Sequence, residues 1–80
     1  MDQKIISLIE YLGEMAEDQS VPRNVKAKMN EVIGILKSDV DLSIKKHKVG
    51  QIFDELQDDS NIDSYTRTQL WSVVPLIEGL

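Results

Sequence analysis

Apolar residues recur at intervals of three and four positions in four separate stretches of the chain. Residues spaced i, i+3, i+4 and i+7 share one face of an α-helix, so each stretch predicts an amphipathic helix. We place the helices near residues 3–17, 22–37, 41–57 and 63–78. Their apolar faces consist of Ile5, Leu8, Ile9, Leu12, Met15 and Ala16; Val25, Met29, Val32, Ile33 and Leu36; Leu42, Val49, Ile52, Phe53 and Leu56; and Leu70, Val73, Val74 and Ile77. No stretch alternates as a strand would, so the chain is predicted to be all-α.

The segments between these helices are short and rich in residues that start helices. Ser20 and Asp41 are suited to capping free amide groups, and Pro22 suits a first helical turn. Short linkers force consecutive helices to run antiparallel. Residues 1–80 are therefore predicted to form one domain, an up-and-down four-helix bundle built from two similar helical hairpins.

The two hairpins also align with each other in sequence. A shift of 41 positions places Leu8 on Val49, and it continues to match apolar residues through both halves. The same shift superimposes Asp18 on Asp59. Any two amphipathic hairpins of equal length align to some extent, so coincidence is an alternative to a true internal repeat. The shared aspartate at the hairpin corner favours the repeat.

Composition restricts how so short a chain is stabilised. The 80 residues include no cysteine, which excludes disulfides and thiolate metal sites. A core of this size supplies only about 3–5 kcal/mol, so good helix packing or self-association is expected to supplement it.

The formal net charge of −5 opposes binding to a phosphate backbone. No apolar run is long enough to span a bilayer and no signal-like segment is evident, so we expect no membrane association and a cytoplasmic location.

Catalytic patterns are not evident. His47 is the only histidine, its neighbours are lysines, and no nucleophile or metal-binding motif accompanies it. We therefore expect a protein that is not an enzyme, with no catalytic residue, cofactor, metal or small-molecule substrate.

Acidic residues cluster where the first and third helices end, at one pole of the predicted bundle. Arg23, Lys26 and Arg67 begin the second and fourth helices at the same pole, so ion pairs are the main interpretation. A divalent-cation site and a partner-binding site are the alternatives. The acids are Glu14, Glu17, Asp18, Asp54, Glu55, Asp58 and Asp59.

A small basic patch is predicted at the opposite pole. It contains Lys37, Lys45, Lys46 and Lys48, without the adjacent aromatics or arginines that nucleic-acid sites usually add. Binding to RNA or DNA through Lys45–Lys48, as an accessory protein, is the alternative function.

Two segments resemble a known family. They are Val21-Pro22-Arg23-Asn24-Val25-Lys26 and Thr66-Arg67-Thr68-Gln69-Leu70-Trp71, at matching helix starts. With the length and spacing, they resemble a small archaeal group of unknown function, uncharacterised protein family zero-one-four-seven. The resemblance covers essentially the whole chain and implies a compact four-helix domain, with no functional residues to transfer. Members often have a proline at the start of the fourth helix, where this chain has Asp63.

Several apolar residues lie off the predicted core faces, among them Ile6, Tyr11 and Ile44. Ile35 and Leu76 also do so, and the repeat makes them equivalent. Off-core apolar residues that form a second face mark an interface. The candidate interface residues are Ile35, Trp71, Pro75 and Leu76. We therefore predict a non-catalytic protein–protein interaction or self-associating module, in particular a homodimer formed through the outer faces of the second and fourth helices.

Overall fold

The computed structural model describes residues 2–80 and contains four α-helices. They are α1 (Gln3–Glu17), α2 (Arg23–Lys37), α3 (Leu42–Gln57) and α4 (Ser64–Glu78). The predicted all-α, four-helix class is confirmed. Each of the last three helices begins one residue later than predicted. Pro22, Asp41 and Asp63 have ψ angles between 149° and 164°, which place them at the N-cap instead of inside the helix.

The helices form an up-and-down bundle in which each packs against its neighbours in the chain. α4 returns to pack against α1, whereas the pairs α1–α3 and α2–α4 lie diagonally and do not pack directly in the described part of the chain. α1 and α2 approach each other most closely, and α1 and α4 pack least closely. The bundle is therefore tight within the first hairpin and loosest along the α1–α4 seam.

One hydrophobic core runs through all four helices. Of the residues predicted for it, Leu12 and Met29 are fully buried and Phe53 is 2% exposed. Five residues of the predicted apolar faces are not fully buried: Ile9, Ala16 and Ile33 are partly buried against the core, and Val74 and Leu42 are the other two. Val74 is only half-buried because it turns toward the edge of α3, and Leu42 is exposed because it is the first residue of its helix. The buried apolar residues are Ile5, Leu8, Leu12, Met15, Val21, Val25, Met29, Val32, Leu36, Val49, Ile52, Phe53, Leu56, Ile62, Leu70, Val73 and Ile77.

The two hairpins are similar in detail. α2 and α4 have equivalent bounds under the shift of 41 positions that relates the two halves. At the first corner Asp18 Oδ1 accepts a hydrogen bond from the Ser20 amide at 2.9 Å. At the second corner Asp59 Oδ1 accepts the equivalent bond from the Asn61 amide, also at 2.9 Å. The aspartate that favoured a repeat therefore performs the same structural role in both halves, which is to close the turn between two helices.

Candidate functional site

A groove about 450 Å³ in volume runs between α1 and α4, where the bundle packs least closely. Its floor is the buried Leu8, and Tyr11 stands on one wall opposite Pro75 and Leu76 on the other. Leu76 is 48% exposed, so an apolar side chain borders the groove in contact with water. The lining residues are Gln3, Lys4, Ser7, Leu8, Tyr11, Pro75, Leu76 and Gly79. We call this the α1/α4 groove.

Two hydrogen bonds cross the α1–α4 seam and fix its register. Lys4 Nζ donates to the Gly79 carbonyl oxygen at 3.2 Å, near one end of the groove. The Tyr11 hydroxyl lies 2.8 Å from Ser72 Oγ, further along α1. Since Ser72 Oγ donates its own hydrogen to the Gln69 carbonyl oxygen, Tyr11 is the donor in this pair. The antiparallel helices are thus held at both points while the space between them stays open.

The wall that α4 contributes has no charge. Residues 68–77 carry no charged side chain, although charged residues make up 29% of the whole chain. Pro75, inside the helix, also removes one backbone donor on this wall. Exposed uncharged surface of this kind is characteristic of interaction sites.

A second groove lies between α2 and α3, and the repeat relates it to the first. We call it the α2/α3 groove; its volume is also about 450 Å³. Its lining residues are Lys28, Glu31, Ile35, Lys48, Gln51, Ile52 and Glu55. In the repeat alignment Ile35 corresponds to Leu76, Ile52 to Tyr11 and Lys48 to Ser7. The two grooves therefore have the same framework but different side chains.

Charged side chains bridge the α2/α3 groove and leave the α1/α4 groove open. Lys28 Nζ lies 3.8 Å from the Glu55 carboxylate across the α2/α3 groove and 3.6 Å from Glu31 on its own helix. The equivalents of Lys28 and Glu55 are Gln69 and Glu14. A glutamine cannot form the ion pair, so within residues 2–80 Glu14 has no cationic partner.

The candidate interface residues do not form a single face. Pro75 and Leu76 line the α1/α4 groove, whereas Ile35 lies in the α2/α3 groove and is partly buried against the core. Trp71 is 57% exposed on α4 outside both grooves. The prediction that Ile35 and Leu76 share one surface was wrong, because the repeat places equivalent residues on opposite flanks of the bundle.

The ion pairs predicted at the acidic pole do not form among the described residues, and Arg67 makes backbone contacts instead. The Arg67 guanidinium donates to the carbonyl oxygens of Gln57 and Asp59, the latter at 2.9 Å. Arg67 therefore caps the end of α3 and is not paired with a carboxylate. Both ion pairs within the described residues involve Lys28, and neither involves Arg23, Lys26 or Arg67.

Asp18, at the first corner, carries the clearest electrostatic signature of this pole. Hydrogen bonds from the Ser20 amide and hydroxyl, at 2.9 and 2.7 Å, lower the pKa of Asp18 below its ordinary range. The nearby Lys26 ammonium lowers the pKa further. These contacts are local and structural. Across residues 2–80, no three His, Asp or Glu side chains come together as a metal site would require.

The lysines of the predicted basic patch are spread around α3. Lys45 Nζ donates to the Leu36 carbonyl oxygen at 3.0 Å, at the end of α2. Lys46 Nζ lies 3.5 Å from the Glu78 carbonyl oxygen, at the end of α4. Lys48 instead lines the α2/α3 groove, and His47 is exposed. Two lysines are thus engaged with the negative ends of two different helices.

Tyr11 and Gln69 matter in the structure although the sequence did not single them out as site residues. In the sequence, Tyr11 is one of several apolar residues off the core face, and no pattern assigns a role to Gln69. Their significance arises from comparison between the halves, because the charged Lys28 aligns with the uncharged Gln69. Gln69 Oε1 is moreover a buried oxygen without a hydrogen-bond partner in the described residues.

None of the helices within residues 2–80 is both long enough and apolar enough to cross a membrane.

Known proteins resemble this chain in both sequence and fold. A UPF0147 protein from Methanothermobacter thermautotrophicus is 35% identical over 72 residues, which is 89% of this chain and 71% of the relative. A UPF0147 protein from Metallosphaera sedula is 34% identical over 81 residues, 99% of this chain and 90% of the relative. Both source organisms are archaea.

Two crystal structures have the same fold. One is a protein from Thermoplasma acidophilum that belongs to the uncharacterised family UPF0147. It superimposes on this chain with a TM-score of 0.89 and is 26% identical in sequence. The superposition covers 99% of this chain and 95% of the Thermoplasma chain. The other is a protein of unknown function, with a TM-score of 0.84 and 29% sequence identity. Its superposition covers 96% of this chain and 89% of the other. The sequence also matches the UPF0147 family over residues 1–80. The resemblance drawn from the two helix-start segments is confirmed, and this chain belongs to the uncharacterised protein family UPF0147.

Proposed function

We propose that this protein is a non-catalytic protein–protein interaction module that binds its partner through the α1/α4 groove. The observation that carries the proposal is the difference between the two repeat-related grooves. Ion pairs from Lys28 span the α2/α3 groove, whereas among the described residues no ion pair spans the α1/α4 groove, which Tyr11 and Leu76 border and where Lys4 donates to the Gly79 carbonyl oxygen.

The surrounding surface supports a protein partner. Leu76 and Trp71 are 48% and 57% exposed on one helix whose residues 68–77 carry no charge. Aromatic residues such as Trp71 are enriched among the residues that dominate binding energy at protein interfaces, and exposed apolar side chains such as Leu76 that form a patch mark interaction sites. A polar rim is also present, since Gln3, Ser7 and Lys4 border the groove.

The geometry favours a protein partner over nucleic acid. A nucleic-acid site needs lysines or arginines free to neutralise phosphates. Lys45 and Lys46 each lie against a helix-terminal carbonyl and diverge around α3, so they do not present one joint positive surface. The formal net charge of −5 opposes the same interaction.

A site-specific photocrosslinking experiment in cells tests the proposal. The photoreactive residue p-benzoylphenylalanine replaces Leu76 in the α1/α4 groove or, as a matched control, the exposed Gln51 in the α2/α3 groove. We expect discrete protein adducts from position 76 and none of comparable yield from position 51. Peptide mass spectrometry identifies the crosslinked chain. Equal yields from both positions, or crosslinks to nucleic acid only, would contradict the proposed function.

A further inference from the structure

We infer that the occupant of the α1/α4 groove is the same groove of a second copy of this chain, joined by a twofold axis across α1. This inference rests on the proposed function and names its partner. The order of side chains along the groove is self-complementary in both charge and apolar surface.

The charges are arranged for an antiparallel copy. Lys4 lies near one end of α1 in this seam and Glu14 near the other, about 15 Å apart at 1.5 Å of rise per residue. They are too far apart to pair within one chain. A twofold axis that crosses α1 midway between them places Lys4 opposite the partner subunit's Glu14, and Glu14 opposite the partner's Lys4.

The same axis brings the apolar residues together. Lys4 is level with Gly79 and Tyr11 is level with Ser72, because hydrogen bonds join these pairs. Leu76 on the antiparallel α4 is therefore level with Ser7 on α1. The axis midway between Lys4 and Glu14 is also midway between Ser7 and Tyr11 along α1. It consequently places Leu76 beside the partner's Tyr11, and each leucine enters the open space of the other groove.

The repeat indicates where a cation from outside the chain can pair with Glu14. Its equivalent, Glu55, receives the Lys28 ammonium at 3.8 Å. At the position equivalent to Lys28 this chain has Gln69, so the intramolecular cation is missing. Lys4 of a second copy supplies a positive charge of the same kind. A different protein with a basic, apolar helix has similar chemistry and is the alternative occupant that the experiment excludes or detects.

The required size is compatible with this surface. A stable interface buries more than roughly 1,000 Å² in total, or about 500 Å² from each copy. One chain exposes 5030 Å². The dimer therefore needs about a tenth of that surface, which α1, α4 and the groove between them can provide. It also supplements the marginal core expected for a domain of this length.

Sedimentation equilibrium of the purified chain tests the inference. We expect the mass to rise with concentration, between the micromolar and millimolar range, toward twice the 9.1 kDa of one chain. Leu76→Glu should raise the dissociation constant by at least about tenfold, because it places an unpaired charge in the interface. Ile44→Glu, which removes an equally exposed apolar residue on α3, should leave the dimer intact. Circular dichroism verifies that both variants fold.

Charge reversal tests the arrangement of the two copies without altering the apolar surface. Lys4→Glu and Glu14→Lys should each weaken the dimer, and the double variant should restore it, because the reversed charges again face each other only between subunits. Lys4→Glu places a negative charge near the start of α1 and Glu14→Lys places a positive charge near its end. The helix dipole favours both changes, so we expect the variants to fold. A double variant no better than the singles would overturn the twofold arrangement.

The outcomes separate this inference from the proposed function. A wild-type mass of 9.1 kDa at every concentration, with crosslinks from position 76 to a different protein, overturns the second copy and leaves the interaction function standing. A monomer without any crosslinked protein overturns both. Loss of the dimer in Ile44→Glu as large as in Leu76→Glu would place the interface elsewhere.

Discussion

The α2/α3 and α1/α4 grooves share one framework and differ in what covers their apolar residues. In the α2/α3 groove Lys28 bridges to Glu55, and Ile35 is partly buried beneath the charged rim. In the α1/α4 groove the equivalent of Ile35, Leu76, is 48% exposed. The two repeat-related grooves thus share part of their lining positions and differ in that, among the described residues, ion pairs span only the α2/α3 groove.

The polar contacts across the two grooves also differ in whether they carry charge. Tyr11 and Ser72 join α1 to α4 through hydroxyl groups, which carry no net charge and leave the neighbouring apolar surface accessible. Ile52 and Glu31 occupy the equivalent positions in the α2/α3 groove, and there the polar residue belongs to the Lys28 network. The comparison supports the proposal that divergence at a few rim positions leaves the α1/α4 groove available to a partner.

The largest expected effects come from the core that the two halves share. Leu12 and Phe53 are equivalent in the repeat and are 0% and 2% exposed. Leu12→Ala should reduce the free energy of unfolding by about 2–5 kcal/mol and Phe53→Ala by about 3–5 kcal/mol, as is usual for buried residues of these types. Urea denaturation measures both. A loss below about 1 kcal/mol for one of them only would show that the halves do not contribute to a single core.

Arg67 should have the next largest effect, and it should be insensitive to salt. Arg67→Ala removes the hydrogen bonds to the Gln57 and Asp59 carbonyl oxygens at the end of α3 and should cost about 1–3 kcal/mol. The matched control is Arg23→Ala, an exposed arginine in the first turn of α2, which should change stability by less than about 0.5 kcal/mol. Thermal melts at low and high salt distinguish capping from ion pairing. A cost that vanishes in high salt would indicate that Arg67 acts through carboxylates.

Exchanging the rim residues of the two grooves should give smaller, opposite changes. Lys28→Gln makes the α2/α3 groove resemble the other and should cost about 0.2–1 kcal/mol, less in high salt. Gln69→Lys offers Glu14 an intramolecular cation and removes the unpartnered Gln69 oxygen, so it should stabilise the monomer by a few tenths of a kcal/mol. Double-mutant cycles with Glu55→Gln and Glu14→Gln measure the two pairs. Coupling absent from both cycles would mean that charge does not distinguish the grooves.

The smallest effect concerns the first corner and is a change in how stability depends on pH in the acid range. Hydrogen bonds from Ser20 lower the pKa of Asp18 in the folded chain, so its contribution is present above the ordinary aspartate pKa of about 4 and is lost as the pH falls below it. Asp18→Asn should therefore show a shallower loss of stability below that pH than the wild type. Urea midpoints across acidic pH measure the slope. Parallel pH profiles for the two proteins would exclude this role for Asp18.

The fold was predictable because burial follows helical spacing so closely. Leu12, Met29 and Leu70 lie on regular three- and four-residue intervals, and all three are fully buried. Pro22, Asp41 and Asp63 marked the starts of three helices to within one residue, because each lies at the N-cap, although none of their side chains makes a capping hydrogen bond. Val74 shows the limit, since a residue at the edge of an apolar face is buried only if a neighbouring helix approaches on that side.

The candidate site was only partly predictable. Leu76 and Pro75 stood out because they lie off the core face, but sequence spacing could not assign Ile35 to a different groove. That assignment depends on which helices become neighbours, and α2 and α4 lie diagonally across the bundle. Arg67 was likewise placed at the correct pole with the wrong partner, because backbone carbonyls carry no sequence signature.

The most direct test of the central claim compares the two grooves in the same sample by nuclear magnetic resonance. A dilution series of the isotope-labelled protein, from millimolar to micromolar concentration, reports which amide groups change environment on association. We predict concentration-dependent shifts for Ser7, Tyr11 and Leu76, and unchanged signals for Lys48 and Gln51 in the α2/α3 groove. Shifts confined to Lys48 and Gln51, or none at any concentration, would contradict the assignment of the α1/α4 groove as the surface through which this protein self-associates.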